Sequence, residues 1–223
     1  MVSKSEQNVV LLENHREKRP RTRMSGQERR QQLIRVARAV FAQRGYEATS
    51  VEEIADKADV SKPIVYGHFG GKEGLYAVVI DREVRDLLDR ITSSLDAQHP
   101  SAILEQAAKA FLTYVETEPD GFRILLRDTP SVGRTSPAFA SLIGDIAAQV
   151  EYVLVEEFRR RGFDAKLAPL YAHALVGMVA QVGEWWLHAG KPQRDTVVAH
   201  LVNLAWNGLK DLERRPKIHS RAK

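Results

Sequence analysis

Cysteine is absent from the 223 residues, which excludes disulfides, thiolate nucleophiles and any zinc site built on cysteine. Long apolar runs are missing as well. The best, Ala174–Ala180, stops at Gln181, far short of the roughly 18 residues a membrane span needs. Val9–Leu12 is too short for the core of a secretory signal, so a cytoplasmic location with no membrane partner is expected. Catalytic signatures are lacking too. The seven histidines give neither H-E-x-x-H nor a pair at i, i+4, and there is no G-x-S-x-G and no G-x-x-x-x-G-K-[ST]. Gly67, Gly70 and Gly71 follow no strand pattern and so do not form a dinucleotide loop. Neither catalysis, a cofactor nor a metal is expected. Period-two alternation and internal repeats are also wanting, which removes β and solenoid architectures.

What is present is a 43% hydrophobic chain, enough to bury a sizeable core. Its net charge of +4 is unevenly placed: the first 46 residues hold 11 Lys/Arg against 4 Asp/Glu. A basic start on a neutral body points either to an anionic partner, most often nucleic acid, or to a solvated tail. Residues 1–25 read as a disordered basic arm, with Arg16, Lys18, Arg19, Arg21 and Arg23 around Pro20 and too little apolar surface to offset ordering. The arm is either inert or reaches along neighbouring DNA backbone.

From Gln27 the pattern is helical throughout. Leu33, Ile34, Ala37, Val40 and Phe41 make one stripe, ended by Gly45. Two very short elements follow. Ser50 and Glu53 have the form of a capping box opening a helix to about Ala58. After a turn at Asp59-Val60, Ser61 and Pro63 open a second, which ends near Phe69. Longer helices are predicted over roughly 72–96, 102–117 and 119–126. After a loop at 128–135, Ser136-Pro137 opens another, to Arg161. The next opens at Asp164 or Ala168-Pro169 and runs to about His188, and the last follows Pro192 and runs to about Arg214. The reading is all-α with about nine helices: an arm at 1–25, a head at 26–72, a body at 73–215 and a tail at 216–223.

Two helices of about two turns cannot build a core alone. The 27–44 stripe lies behind them, and Val51, Ile54, Ala55, Ala58, Val60 and Val65 supply inward faces. This is a helix-turn-helix pattern, whose second helix enters the major groove of double-stranded DNA. Ser61, Lys62, Tyr66, His68 and Lys72 are left facing outward. Their hydroxyls and cations suit phosphates and base edges.

The run Phe41-Ala42-Gln43-Arg44-Gly45-Tyr46, continuing through Ile54-Ala55, and the run Val60-Ser61-Lys62-Pro63-Ile64-Val65-Tyr66-Gly67-His68-Phe69-Gly70-Gly71-Lys72-Glu73-Gly74-Leu75 resemble the DNA-binding domain of TetR-family transcriptional regulators. The resemblance covers about residues 27–80. It implies that Lys62, Pro63 and Ile64 sit at the groove, that Tyr66, His68 and Lys72 contact phosphates, and that Thr49 and Ser50 lie against the neighbouring strand. Asp59 stands where the family usually has glycine, in a turn aspartate tolerates. Gly67 replaces a larger side chain and softens the helix by about 1 kcal/mol relative to alanine.

The resemblance also implies a homodimer in which the last two helices pack on their copies. Leu175, Val179, Val182, Trp186, Val197, Leu201, Leu204 and Leu209 are candidates for the interface or for the protomer core. It further implies an apolar cavity in the body, and the mostly apolar and aromatic residues available to line it point to a small hydrophobic effector. Its candidate lining is Phe111, Tyr114, Phe122, Leu126, Ile146, Val150, His173, Met178 and Trp185, with Arg123 and Arg127 for an anionic head group. The 72–96 helix is the expected link between cavity and head. The resulting expectation is a ligand-responsive regulator, most readily a repressor on a palindromic operator. The alternative is a helical interaction scaffold that binds no DNA.

Overall fold

The computed structural model describes residues 24–97, 99–127, 137–213 and 216. The basic arm up to Arg23, the predicted loop at 128–135 with Ser136, and all of the tail but Pro216 lie outside the described residues. Among the described residues the chain forms nine α-helices and no strand. These are α1 (Gly26–Arg44), α2 (Val51–Lys57), α3 (Lys62–Phe69), α4 (Lys72–Ser93), α5 (Pro100–Thr117), α6 (Pro119–Arg127), α7 (Pro137–Arg161), α8 (Ala168–Ala189) and α9 (Arg194–Lys210). None of the helices described is long and apolar enough to cross a membrane.

Local chemistry sets most of the boundaries. The Ser25 hydroxyl accepts the Glu28 N–H at 3.2 Å and the Glu28 carboxylate accepts the Ser25 N–H at 2.7 Å, a complete capping box that opens α1. At α2 one half of the predicted box forms: Ser50 accepts the Glu53 N–H at 3.1 Å. The Glu53 carboxylate turns instead to Lys57 at 3.0 Å and Arg44 at 3.2 Å. Ser61 occupies the N-cap position of α3 but makes no side-chain cap bond.

Three boundaries differ from the sequence reading. Helix α5 begins at Pro100 rather than about 102, because the His99 imidazole nitrogen accepts the Ser101 N–H at 3.3 Å. Helix α4 ends at Ser93 rather than 96. Helix α9 ends at Lys210 rather than about 214, where Arg161 donates to the carbonyls of Leu209 and Lys210. Both proposed starts of α8 are used: Asp164 caps a short 3-10 turn over Ala165–Leu167, and α8 proper follows at Ala168.

The buried residues form two principal cores. The first joins Leu33, Ile34, Ala37, Val40 and Phe41 of α1 to Ile54, Ala55, Val65, and Leu75 and Val79 of α4, with Ile124 of α6 inserted from the side. The second joins Leu87 and Ile91, further along α4, to Phe111, Leu112, Phe122, Leu125, Leu142 and the inner faces of α8 and α9. Trp186, Val197 and Leu201, named above as candidates for an interface, belong to this second core, and the Trp186 indole donates to the Pro192 carbonyl at 2.7 Å. Leu175, Val179 and Val182 are half-buried, and Leu204 is exposed.

Helix α4 thus contributes to both cores, and at its midpoint, between the two, lies a buried acid. Glu83 accepts Arg38 of α1 at 2.8 and 3.1 Å and the Tyr114 hydroxyl of α5 at 2.9 Å. Arg38 reaches on to Glu118 at 2.8 Å, and Arg90 reaches Glu118 at 3.3 Å. Burial, together with the neighbouring Glu83 charge, raises the Tyr114 phenol far above its ordinary range, so it remains a donor. The start of α6 closes over this cluster at Gly121. A Cβ there would collide with the Glu83 carboxylate and lie 2.6 Å from Arg38 Nη2 and the Tyr114 hydroxyl.

Gly121→Ala is therefore expected to lower stability by about 1–3 kcal/mol through overpacking against groups that cannot retreat without losing their partners. Urea unfolding at fixed protein concentration checks it; an unchanged midpoint would show that the cluster yields freely.

Candidate nucleic-acid interface

The head is formed by α1–α3 with the first turns of α4. The turn between α2 and α3 closes through the Val60 N–H, which donates to the Ala55 carbonyl at 3.0 Å. This geometry places Asp59 in the left-handed region, φ +52°, as its side-chain type tolerates. Val65 is wholly buried, which fixes the roll of α3. Ser61, Lys62, Pro63, Ile64 and Tyr66 are consequently exposed together, Ile64 and Tyr66 by 41% and 47%. A large apolar side chain and a phenol kept in solvent on one short helix form a surface suited to a partner. His68 is half-buried, its ring 6.0 Å from that of Phe69, and the Arg30 guanidinium lies over the other aromatic ring, 5.0 Å from the Phe69 centroid.

Lys62 and Glu52 form an ion pair across the turn, from the first residue of α3 to the first turn of α2. The Lys62 ammonium also lies 5.7 Å from the centroid of the Tyr66 ring. The bond between them lowers the Glu52 carboxyl from its ordinary value and raises the Lys62 ammonium. Glu52 is a part of this surface that the sequence reading missed, because it pairs with a residue ten positions away across a turn.

Thr49 requires a correction. It is 3% exposed, and its hydroxyl donates to the Gly45 carbonyl at 2.7 Å, so its side chain ties down the α1–α2 connection instead of facing a strand. Ser50 is exposed, but its oxygen accepts the Glu53 N–H as a cap. Lys72 is half-buried. Its ammonium donates to the Thr49 carbonyl at 2.9 Å and the Glu47 carbonyl at 3.3 Å, and lies 4.2 Å from the centroid of Tyr46. Two of its three donors are therefore spent within the head, leaving one for an outside anion.

The body holds a slot of about 80 Å³ between α4, α5, α7 and α8, walled by apolar side chains. Of the predicted lining residues, Phe111, Ile146 and Val150 reach its wall. They stand beside Leu87 and Ile91 of α4 and Val176 of α8, which the sequence reading did not name. Phe122, Leu126 and Met178 pack in the surrounding core rather than at the slot. Five other expectations are corrected. Tyr114 belongs to the Glu83 cluster. Arg123 pairs with Asp120 at 2.9 Å. His173 is exposed and donates to the Pro169 carbonyl of its own helix. Trp185 is 53% exposed on the outer side of α8. Arg127 donates to the Ala42 carbonyl at 2.8 Å, joining the end of α6 to α1. Among the described residues no group of three or more His, Asp or Glu is arranged to hold a metal.

This geometry can be set beside known proteins. Residues 33–79 match the family described as bacterial regulatory proteins, tetR family, and residues 90–220 match the tetracyclin repressor-like C-terminal domain. The HTH-type transcriptional activator FasR of Mycolicibacterium smegmatis is 31% identical over 205 residues, 88% of this chain and 93% of its own. A TetR-like transcriptional regulator from Rhodococcus sp. RHA1 superposes with a TM-score of 0.64 at 26% identity, over 82% of this chain and 97% of its own. A tetR-family regulator from Streptomyces coelicolor does so with a TM-score of 0.63 at 29% identity, over 84% and 85%. Both parts of the molecule, the short-helix head and the helical body, thus match the same group of regulators, and the chain belongs to the tetR family of helix-turn-helix transcriptional regulators.

Proposed function

We propose that this protein is a cytoplasmic, ligand-responsive regulator that binds a palindromic operator in double-stranded DNA as a homodimer. Residues 26–72 read the DNA, and residues 73–215 bind the effector and dimerise. The carrying observation is α3, which buries Val65 while exposing Lys62, Pro63, Ile64 and Tyr66 on one side. Lys62 and Ile64 face base edges; Tyr66, His68, Ser50 and the remaining donor of Lys72 hold phosphates. The exposed Trp185 of α8 and Leu204 of α9 support the dimer. Two copies related by a two-fold axis then set their α3 helices about 34–36 Å apart, one turn of DNA.

The slot supports a hydrophobic effector. At about 80 Å³ it is smaller than the roughly 300 Å³ at which ligand pockets begin, so any sizeable ligand must widen it. Leu87 and Ile91 form part of its wall, so widening displaces α4, whose other end packs in the head. Ligand and DNA then favour different α4 positions, with a coupling of about 1–3 kcal/mol. An operator-bound dimer blocks transcription by occupancy, and the ligand releases it. Activation is the second reading, favoured by the role named for the mycolicibacterial relative, which spans nearly the same length.

Anisotropy titrations against a mixed-sequence duplex and a duplex selected from a random library test the DNA reading. Tyr66→Phe should weaken both alike, whereas Lys62→Ala should change the selected sequence; equal losses on every duplex for Lys62→Ala would remove it from the base-reading set. Thr49→Val should cost about 1 kcal/mol of stability through its lost bond to Gly45 and leave the salt slope unchanged; a shallower slope would return Thr49 to the phosphate contacts.

Val176→Phe fills the slot. It should retain DNA binding and abolish the thermal stabilisation given by apolar ligands. A set of medium- to long-chain fatty acids that leaves the melting temperature of the unaltered protein unmoved, and its DNA binding unaffected, would count against the effector reading.

A further inference from the structure

The Lys62 ammonium is the cation that α3 carries at its groove end, and in the free protein it is already occupied. Glu52 binds it, with the two side chains 56% and 47% exposed, and the Tyr66 ring flanks it at 5.7 Å. Glu52 is held in place by the first turn of α2, whose cap is Ser50. Lys62 therefore does not meet DNA as a free charge. It meets DNA as one member of an ammonium–carboxylate unit.

The two kinds of acceptor on a duplex treat such a unit differently. A phosphate that draws the ammonium away leaves a carboxylate facing another anion, with no proton to offer it. A base edge asks less. Guanine O6 or N7 takes one of the three ammonium N–H donors while another stays on Glu52, and the carboxylate can itself accept from a cytosine N4 amine. Phosphates are present at every register along DNA, whereas a suitable base edge is present at few.

We infer that Glu52 is a specificity-determining residue: by holding Lys62 it suppresses that lysine's use as a sequence-independent phosphate anchor and reserves it for base edges in the major groove. This rests on the reading of α3 as the groove-facing helix and goes beyond it, because it assigns the selectivity to an acid outside α3.

The experiment compares the full-length protein with Glu52→Gln, Lys62→Met and the double variant. Each is titrated by fluorescence anisotropy against a mixed-sequence duplex and against the duplex that the unaltered protein selects from a random library, between 50 and 200 mM salt. Circular dichroism confirms that the exposed substitutions leave the helices intact. Glu52→Gln is expected to bind the mixed-sequence duplex more tightly, with one more phosphate contact. Over that salt range its affinity should then fall roughly threefold further than that of the unaltered protein. Its preference for the selected duplex should shrink. In the Lys62→Met background the same Glu52→Gln change should give no such gain. A gain of equal size in that background would overturn the inference, since Glu52 would then act by repelling DNA without Lys62. No gain in either background would overturn it as well. Failure of the unaltered protein to bind either duplex at 50 mM salt would instead overturn the DNA reading on which it rests.

Discussion

A carboxylate taken out of water must be matched by donors, and Glu83 is matched from two directions: by Arg38 from the head and by Tyr114 from the body. Removing Arg38 would strand charge in an apolar setting, where breaking a buried pair costs about 3–5 kcal/mol, and removing Tyr114 would leave one carboxylate oxygen short of a donor. The groups are also directional. Apolar contacts have no preferred direction of their own, whereas a bidentate guanidinium–carboxylate contact holds at one angle. Arg38 and Glu83 thus fix the orientation of α1 on α4, and Glu118 and Arg90 extend that fixation to the junction of α5 and α6. The absence of a side chain at Gly121 lets α6 approach closely enough to seal the cluster.

The head depends on this fixation because α2 and α3 are too small to stand alone. Helices α2 and α3 have seven and eight residues. Isolated helices of that length are marginal in water, so their stability comes from packing. They are held by α1 and α4, and by single polar contacts at the corners: Thr49 to Gly45, Lys72 to the Thr49 and Glu47 carbonyls, and Arg127 to Ala42. Lys72 thereby spends two of its three donors on structure, so among the described residues of the head less positive charge is left for a polyanion than a count of lysines suggests.

The head was legible in the sequence because short helices need local signals. Ser50, Ser61-Pro63 and Gly70 mark their ends, Asp59 marks the turn, and Val65 marks the buried side. Thr49 and Ser50 stand side by side with equivalent hydroxyls, and only the folded chain shows which one caps a helix and which turns inward. The body was legible as helices but not as contacts. Adjacent residues on a helix point about 100° apart, so Trp185 and Trp186 fall on opposite sides of the packing boundary with no local mark to separate them. Nothing local separates Tyr114 from a cavity aromatic, because its partner Glu83 lies 31 residues earlier in the chain. The slot itself is bounded by Leu87, Ile91 and Val176, unremarkable members of long apolar stripes.

One length in this architecture has a mechanical meaning. Eleven residues separate Glu83 from Lys72, or about 16 Å of α4 at 1.5 Å per residue. If the clamped midpoint serves as the pivot, a swing of about 5° carries the far tip through an arc of roughly 1.4 Å, and one of about 10° through nearly 3 Å, the span of a hydrogen bond. Small angular changes at the midpoint are thus amplified to hydrogen-bond length at the tip, where Lys72 joins the Thr49 and Glu47 carbonyls.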